Sequence, residues 1–341
     1  MTLHYLTGNV DVALSHLALC GLASIADEST GTSSRLWWTA DQTPVPTVET
    51  TLDAPHLAMA VHAHAQRASE PTSWLMRRET AGTRAGAGLF TARAKVPADP
   101  AEWRHHAEER RSARRSMTVS RLDGQMMLGM GEPAWWRWER DANRPDEGAS
   151  RWEMKTRNQG QEFLLHRLAP LAQTLARRTP QEILDGLVGR TVVDETGRNA
   201  SESRTATGLT TPGPVDSAVA WCALWGLAVA PPIPRENAIS RTPGVWPDDR
   251  LHPTRAALPV FTHPVTVARF SQILLSEAFD TAGAALSGND ADPGLPIHVD
   301  AAAAWLVEQG VRAVVVFPVR KTGSASAPER QMLSGEIKVL P

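Results

Sequence analysis

The stretch Asp216–Val229, DSAVAWCALWGLAV, constrains this chain more than any other. Behind one acidic residue, apolar side chains fall at every helical angle. A helix with no polar face to offer water must be surrounded on all sides, so this segment predicts a central buried helix. The rest of the chain has to supply the shell. At 341 residues it can bury one large core or two moderate ones. Hydrophobic content of 42% and charged content of 21% suit that task.

The shell is legible in outline. Asp11–Asp27 reads as an amphipathic helix capped by Asn9 or Asp11. Two short strands follow, Arg35–Thr39 and Thr47–Leu52, around a proline-containing turn. Asp53-Ala-Pro starts a helix through His62 and His64, the proline at an early helical position. Glu79–Ala92 reads as a loop leading into a short strand near Leu89-Phe-Thr. Pro100 to Met117 is a polar helix, and Gln159–Arg177 an amphipathic one with Phe163, Leu164, Leu168, Leu171 and Leu175 inward. Asp141–Ser150, polar with Pro and Gly, predicts an exposed linker. Arg190–Pro214 reads as a strand and a mobile loop, and Pro231–Pro259 as irregular. Helices are expected at Thr266–Phe279 and at Ala301–Gln309, the latter closed by Gly310. The chain ends in two antiparallel strands, RAVVVFPVR and QMLSGEIKVL, joined by a long hairpin loop. The expected fold class is α+β, with helices packed on small antiparallel sheets and a C-terminal β-hairpin. Two lobes, 1–145 with an arginine-rich helix and 146–341, are one arrangement; a single continuous domain is the other.

Several functions lack the residues they need. No run of roughly eighteen apolar residues is present, which argues against a membrane-spanning helix and a membrane partner. The apolar amino terminus has no positive leader and is interrupted by Asp11 and His16, so it does not read as a signal peptide. Cys20 and Cys222 sit in apolar helices and read as buried free thiols of a cytoplasmic protein. Zinc spacings are missing. His62 and His64 diverge by about 200° on a helix, and His105 and His106 by about 100°. No GxSxG or Walker loop occurs. No metal, cofactor or small-molecule substrate is expected, and the chain reads as a binder rather than an enzyme.

The strongest candidate for binding is the stretch from Trp103 to Arg157, which crowds arginine with five of the twelve tryptophans (Trp103, Trp135, Trp136, Trp138, Trp152). Guanidinium groups match phosphate with planar forks, and indole faces stack on bases. On the polar helix Arg104, Arg111 and Arg115 share one side at i, i+7 and i+11, flanked by Arg110 and Arg114. Glu108 and Glu109 offset the row, so phosphate contact and a solvated, ion-paired face both stand as readings. Trp135, Trp136 and Trp138 suit core packing better than base stacking. Lys155, Arg157, Asn158 and Gln159 open the next helix, where exposed donors suit phosphates or base edges. Arg320 and Lys321, at the hairpin loop, form a third basic point. Net charge is only −2 with pI near 6.6. Nucleic-acid contact therefore needs a local patch or charge from other subunits.

Four segments together resemble one family: NVDVALSHLALCGLASIADE, KTRNQGQEFLLHRLAPLA, WCALWGLAVAPP and VVVFPVRKTGSASAPER. It is the Csb-type accessory or large-subunit family of type I-U (I-G) CRISPR-Cas systems. The resemblance implies a non-catalytic subunit of an RNA-guided surveillance complex (Cascade) in antiviral defence. Its partners would be other effector subunits, crRNA and target DNA. The large subunit in such effectors reads the protospacer-adjacent motif, while base pairing reads sequence. Two other classes compete: a metal-dependent nuclease or hydrolase with a spatially assembled site around Asp248, Asp249 and His252, and a protein–protein scaffold anchored by tryptophans.

Overall fold

Asp216 starts the apolar helix by accepting the Ala218 N–H at 2.8 Å, which satisfies one orphan donor of the first turn. Every residue from Ser217 to Trp225 is buried, and a 3-10 turn, Gly226–Val229, extends the run. The computed structural model describes residues 1–80, 82, 85–93, 99–139, 142–154, 163–203, 207–288, 296–323 and 328–341.

In chain order the elements are β1 (Thr2–Tyr5), α1 (Ala13–Thr30), β2 (Arg35–Trp38), β3 (Pro46–Thr50), α2 (Ala54–Ser69), α3 (Pro100–Ser116) and α4 (Arg121–Met130). The hairpin β4 (Trp138–Glu139) and β5 (Ala142–Asn143) precedes α5 (Ala169–Leu175), α6 (Pro180–Leu187) and the central α7 (Ser217–Trp225). Then come β6 (Val245–Trp246), β7 (Arg255–Phe261), β8 (Val265–Thr266), α8 (Val267–Leu275), α9 (Glu277–Leu286) and α10 (Pro296–Glu308). β9 (Val311–Gly323), β10 (Pro328–Met332) and β11 (Glu336–Val339) end the chain.

α1 lies against α7, and two glycines set how close they come. A Cβ on Gly21 would stand 1.9 Å from the Cys222 carbonyl oxygen, and one on Gly226 would stand 2.0 Å from that of Leu17. Cys20 on α1 and Cys222 on α7 are buried free thiols, and burial pushes both their pKa values up. Around α7 the rings of His64, Trp221, Trp225 and Trp74 meet edge-on or tilted, the geometry aromatic quadrupoles prefer.

The two larger sheets are antiparallel, as is the two-stranded β4-β5 sheet. One has the order β1-β3-β2-β8, the other β10-β9-β7-β6, with β11 also on β9. The fold is α+β, helices packed on small antiparallel sheets with a C-terminal strand pair. β2 pairs with β8, and one buried cluster runs from Leu6 to Leu340. Residues on both sides of the 145/146 division thus share a sheet and a core.

Several expected elements take another form. α1 is capped by Val12 without a side-chain bond, because the Asp11 carboxylate accepts from Ser334 Oγ instead. Leu89–Thr91 is a turn, not a strand: Thr91 N–H closes onto Gly88 O, and Gly88 makes a single bridge with Arg78. Pro145–Ser150 is no exposed linker. Glu147 and Gly148 are buried, and a Cβ on Gly148 would collide with Glu132 O at 1.9 Å. No strand forms among the described residues of 190–214. There the buried Asp194 carboxylate gathers Gly197 N–H and Ser203 Oγ in place of a ladder.

β7 begins inside the stretch that reads as irregular. Ala257 N–H donates to Gly244 O on the β6 side. Pro259 faces the same side beyond the end of β6, where a missing N–H is tolerated. The expected helix Thr266–Phe279 is two helices, broken at Ser276 (ψ 150°), whose hydroxyl caps α9 through Phe279 N–H. The final strand is also two, β10 and β11, which follow each other along β9 around Leu333–Gly335.

Candidate nucleic-acid interface

α3 forms because its ends are well provided. Asp99 accepts the Ala101 N–H at 2.8 Å, Pro100 sits in the first turn, and Arg114 and Arg115 lie at the negative end of the helix dipole. Trp103, His106 and Arg110, at i, i+3 and i+7, are buried. The opposite face carries Arg104, Arg111, Arg114 and Arg115, all exposed. Arg110, expected to flank that row, turns inward instead. Its guanidinium donates to Leu89 O at 2.6 Å, to Thr91 O at 3.2 Å and to Glu132 at 2.7 Å.

Glu108 pairs with Arg111, as the alternating charges predict. Glu109 is engaged elsewhere, accepting from Thr80 N–H at 3.1 Å and Thr80 Oγ1 at 2.9 Å. Arg114 reaches Glu132 at 2.8 Å. Arg104 and Arg115 have no carboxylate partner among the described residues. The result is an exposed row of guanidinium groups that is only partly neutralised.

Where α3 ends, a groove of about 560 Å³ opens between the end of α2, the turn Trp74–Met76 and the start of α4. Ser116, Met117 and Thr118 form the wall that continues from α3; Arg67, Glu70 and Arg77 stand exposed at the rim. Arg67 is held by Glu28 at 2.8 Å. Asp123 accepts the Trp74 indole N–H at 2.8 Å and completes a capping box with Ser120. Arg77 has no ion pair among the described residues. His64, 3% exposed, lines the groove from the core side. Its Nδ1 accepts the Trp221 indole N–H at 3.2 Å. Burial, aided by the nearby Arg67 charge, lowers its pKa to about 3, so the ring is neutral and its proton sits on Nε2. His62 points away, with Nε2 at 3.4 Å from Ala176 O, as helical divergence requires.

The remaining predicted residues are scattered. Lys155, Arg157, Asn158 and Gln159 lie outside the described residues. Arg320 and Lys321 are not in a loop. β9 continues through them, opposite Gln331 and Arg330, and both are exposed on that separate element. Of the tryptophans, Trp103 and Trp152 are buried, Trp135 packs edge-on to Trp103 with ring centres 4.5 Å apart, and Trp136 is the more open. The side chain of Trp138 lies outside the described set.

Sequence reasoning missed two groupings. One is the groove: His64, Arg67, Arg77 and Ser116 come from distant positions, and no local spacing marks them. The other is internal. Glu153, buried, meets Arg93 at 2.6 Å and Arg167 at 3.9 Å, and its backbone carbonyl accepts from buried Arg330 at 2.7 Å. Burial alone would raise the Glu153 pKa, but these three arginines outweigh it and hold it below the usual carboxylate range. Arg151, 1% exposed, donates to Arg250 O at 2.7 Å and to Ser240 O; burial and the Arg93 charge lower its pKa to about 10.

Asp248 pairs with Arg235, and Asp249 is largely exposed beside Arg250. Among the described residues no group of three His, Cys, Asp or Glu side chains is placed to hold a metal, and no helix is long and apolar enough to cross a membrane. No family model, curated protein or solved structure matches the chain.

Proposed function

We propose that the chain is a non-catalytic, large-subunit-like component of a type I CRISPR surveillance complex in the cytoplasm. In this reading it contacts target DNA and crRNA and contributes to recognition of the protospacer-adjacent motif. The observation that supports it is the exposed row Arg104, Arg111, Arg114 and Arg115 on α3, with Arg104 and Arg115 unpaired among the described residues. Such a row can follow a phosphate backbone without reading its sequence. A net charge of −2 confines nucleic-acid contact to such a local patch, with further charge supplied by partner subunits.

Two measurements test the proposal. Tagged chain, co-expressed with its neighbouring genes and a CRISPR array, should elute in a stoichiometric complex holding a uniform short RNA; a lone protein free of nucleic acid would sink the reading. In that complex, Arg111→Glu with Arg115→Glu should weaken target-DNA binding and make its log–log salt slope shallower by about two. Unchanged binding would remove α3 from the interface.

A further inference from the structure

We propose that the groove at the end of α3 receives the base of one unpaired nucleotide, with His64 Nε2–H donating to the base edge and Arg77 holding the adjoining phosphate. The inference rests on the nucleic-acid reading above and assigns that interface a specific subsite. Three observations carry it.

The first is a donor without an acceptor. An indole can only donate, so the Trp221 contact commits His64 Nδ1 to accepting and leaves the proton of the neutral ring on Nε2. Nε2 is buried and has no hydrogen-bond partner among the described residues. A buried N–H left unpaired is costly, and a ligand acceptor would satisfy it. The second is charge. The lining carries two arginines, Arg67 and Arg77, and two carboxylates, Glu70 and Asp123, and so no net formal charge; its interior suits a neutral polar edge rather than a phosphate. The exposed Arg77 at the rim, free of carboxylates among the described residues, suits the phosphate. The third is place and size. The groove begins at Ser116, directly beyond Arg115, and about 560 Å³ lies within the range of small-ligand sites. A strand lying along the α3 arginines would deliver its next nucleotide there.

The test compares a short oligothymidylate with the same oligomer carrying abasic residues throughout, both binding the full chain at low salt. The two have equal phosphate charge, so the α3 row treats them alike. Wild type should favour the base-bearing strand by about fivefold, the worth of one buried hydrogen bond. His64→Phe, which keeps the aromatic packing but removes the donor, should abolish that preference and leave abasic binding unchanged. Thr118→Trp, a rim substitution that fills the groove without touching the core, should do the same; it keeps the test decisive if His64→Phe does not fold. Equal wild-type affinity for the two strands, or a preference that survives Thr118→Trp, overturns the subsite and leaves the α3 reading standing. Binding of neither strand overturns both.

Discussion

Arginine does opposite things in two regions of this molecule. On α3, Arg104, Arg111 and Arg115 stand in water, bonded to a neighbouring glutamate or to no carboxylate among the described residues. Around Glu153, Arg93, Arg151, Arg167 and Arg330 are almost fully buried, and Arg93, Arg151 and Arg330 tie distant segments together through the backbone carbonyls of Ser150, Ser240, Leu251 and Glu153 itself. The side chain is the same; the solvent is not. In water a guanidinium keeps its hydration and can exchange it for a phosphate, whereas inside the protein its desolvation is offset only by bonds already formed. Exposed arginines are thus available to a partner, and buried ones hold the fold.

The largest effect expected from this contrast is at Glu153. Glu153→Gln leaves Arg93 and Arg167 facing no carboxylate at that position and should cost about 3–5 kcal/mol in urea unfolding. A loss under about 1 kcal/mol would mean the buried cluster is not structural. Acid should act on the buried interior next. His16 and His64 have pKa values lowered by burial to about 4 and about 3. Below their unfolded value near 6.5 the unfolded chain binds protons that the folded one refuses. Stability from both is therefore full above pH 6.5 and falls as pH drops towards 4, by up to about 1.4 kcal/mol per pH unit for each histidine. Glu153, whose pKa is depressed, adds a further loss only below its ordinary range. Unfolding curves at several pH values would show this slope, and a flat profile between pH 6.5 and 5 would contradict the neutral, buried state of these rings. The smallest effect is expected on α3, where Arg111→Glu with Arg115→Glu should change stability by about 0.5 kcal/mol or less. A larger loss would place those arginines with the structural set.

How far the sequence could be read follows from how local each signal was. α7 was legible because an all-round apolar helix has one destination, and the outward face of α3 because Arg104, Arg111 and Arg115 keep helical spacing. The inward turn of Arg110 was also available, since it shares i, i+3 and i+7 with Trp103 and His106. Its charge argued the other way, and only the carbonyls of Leu89 and Thr91 and the Glu132 carboxylate explain why burial is tolerated. The breaks at Ser276 and at Leu333–Gly335 were hidden, because apolar residues recur before and after each (Leu274 and Phe279; Met332 and Ile337) and no proline marks the change.

By itself, then, the sequence determined the fold class, the central helix and the side of α3 that meets water, all of which depend on periodicity and the hydrophobic effect acting over a few turns. Tertiary structure alone decided which arginines are buried, and it alone brought His64, Arg77 and Ser116 to one groove. Those outcomes depend on contacts between residues tens or hundreds of positions apart, where solvent exclusion and hydrogen-bond partners, rather than residue type, set what a charge or a ring nitrogen can do.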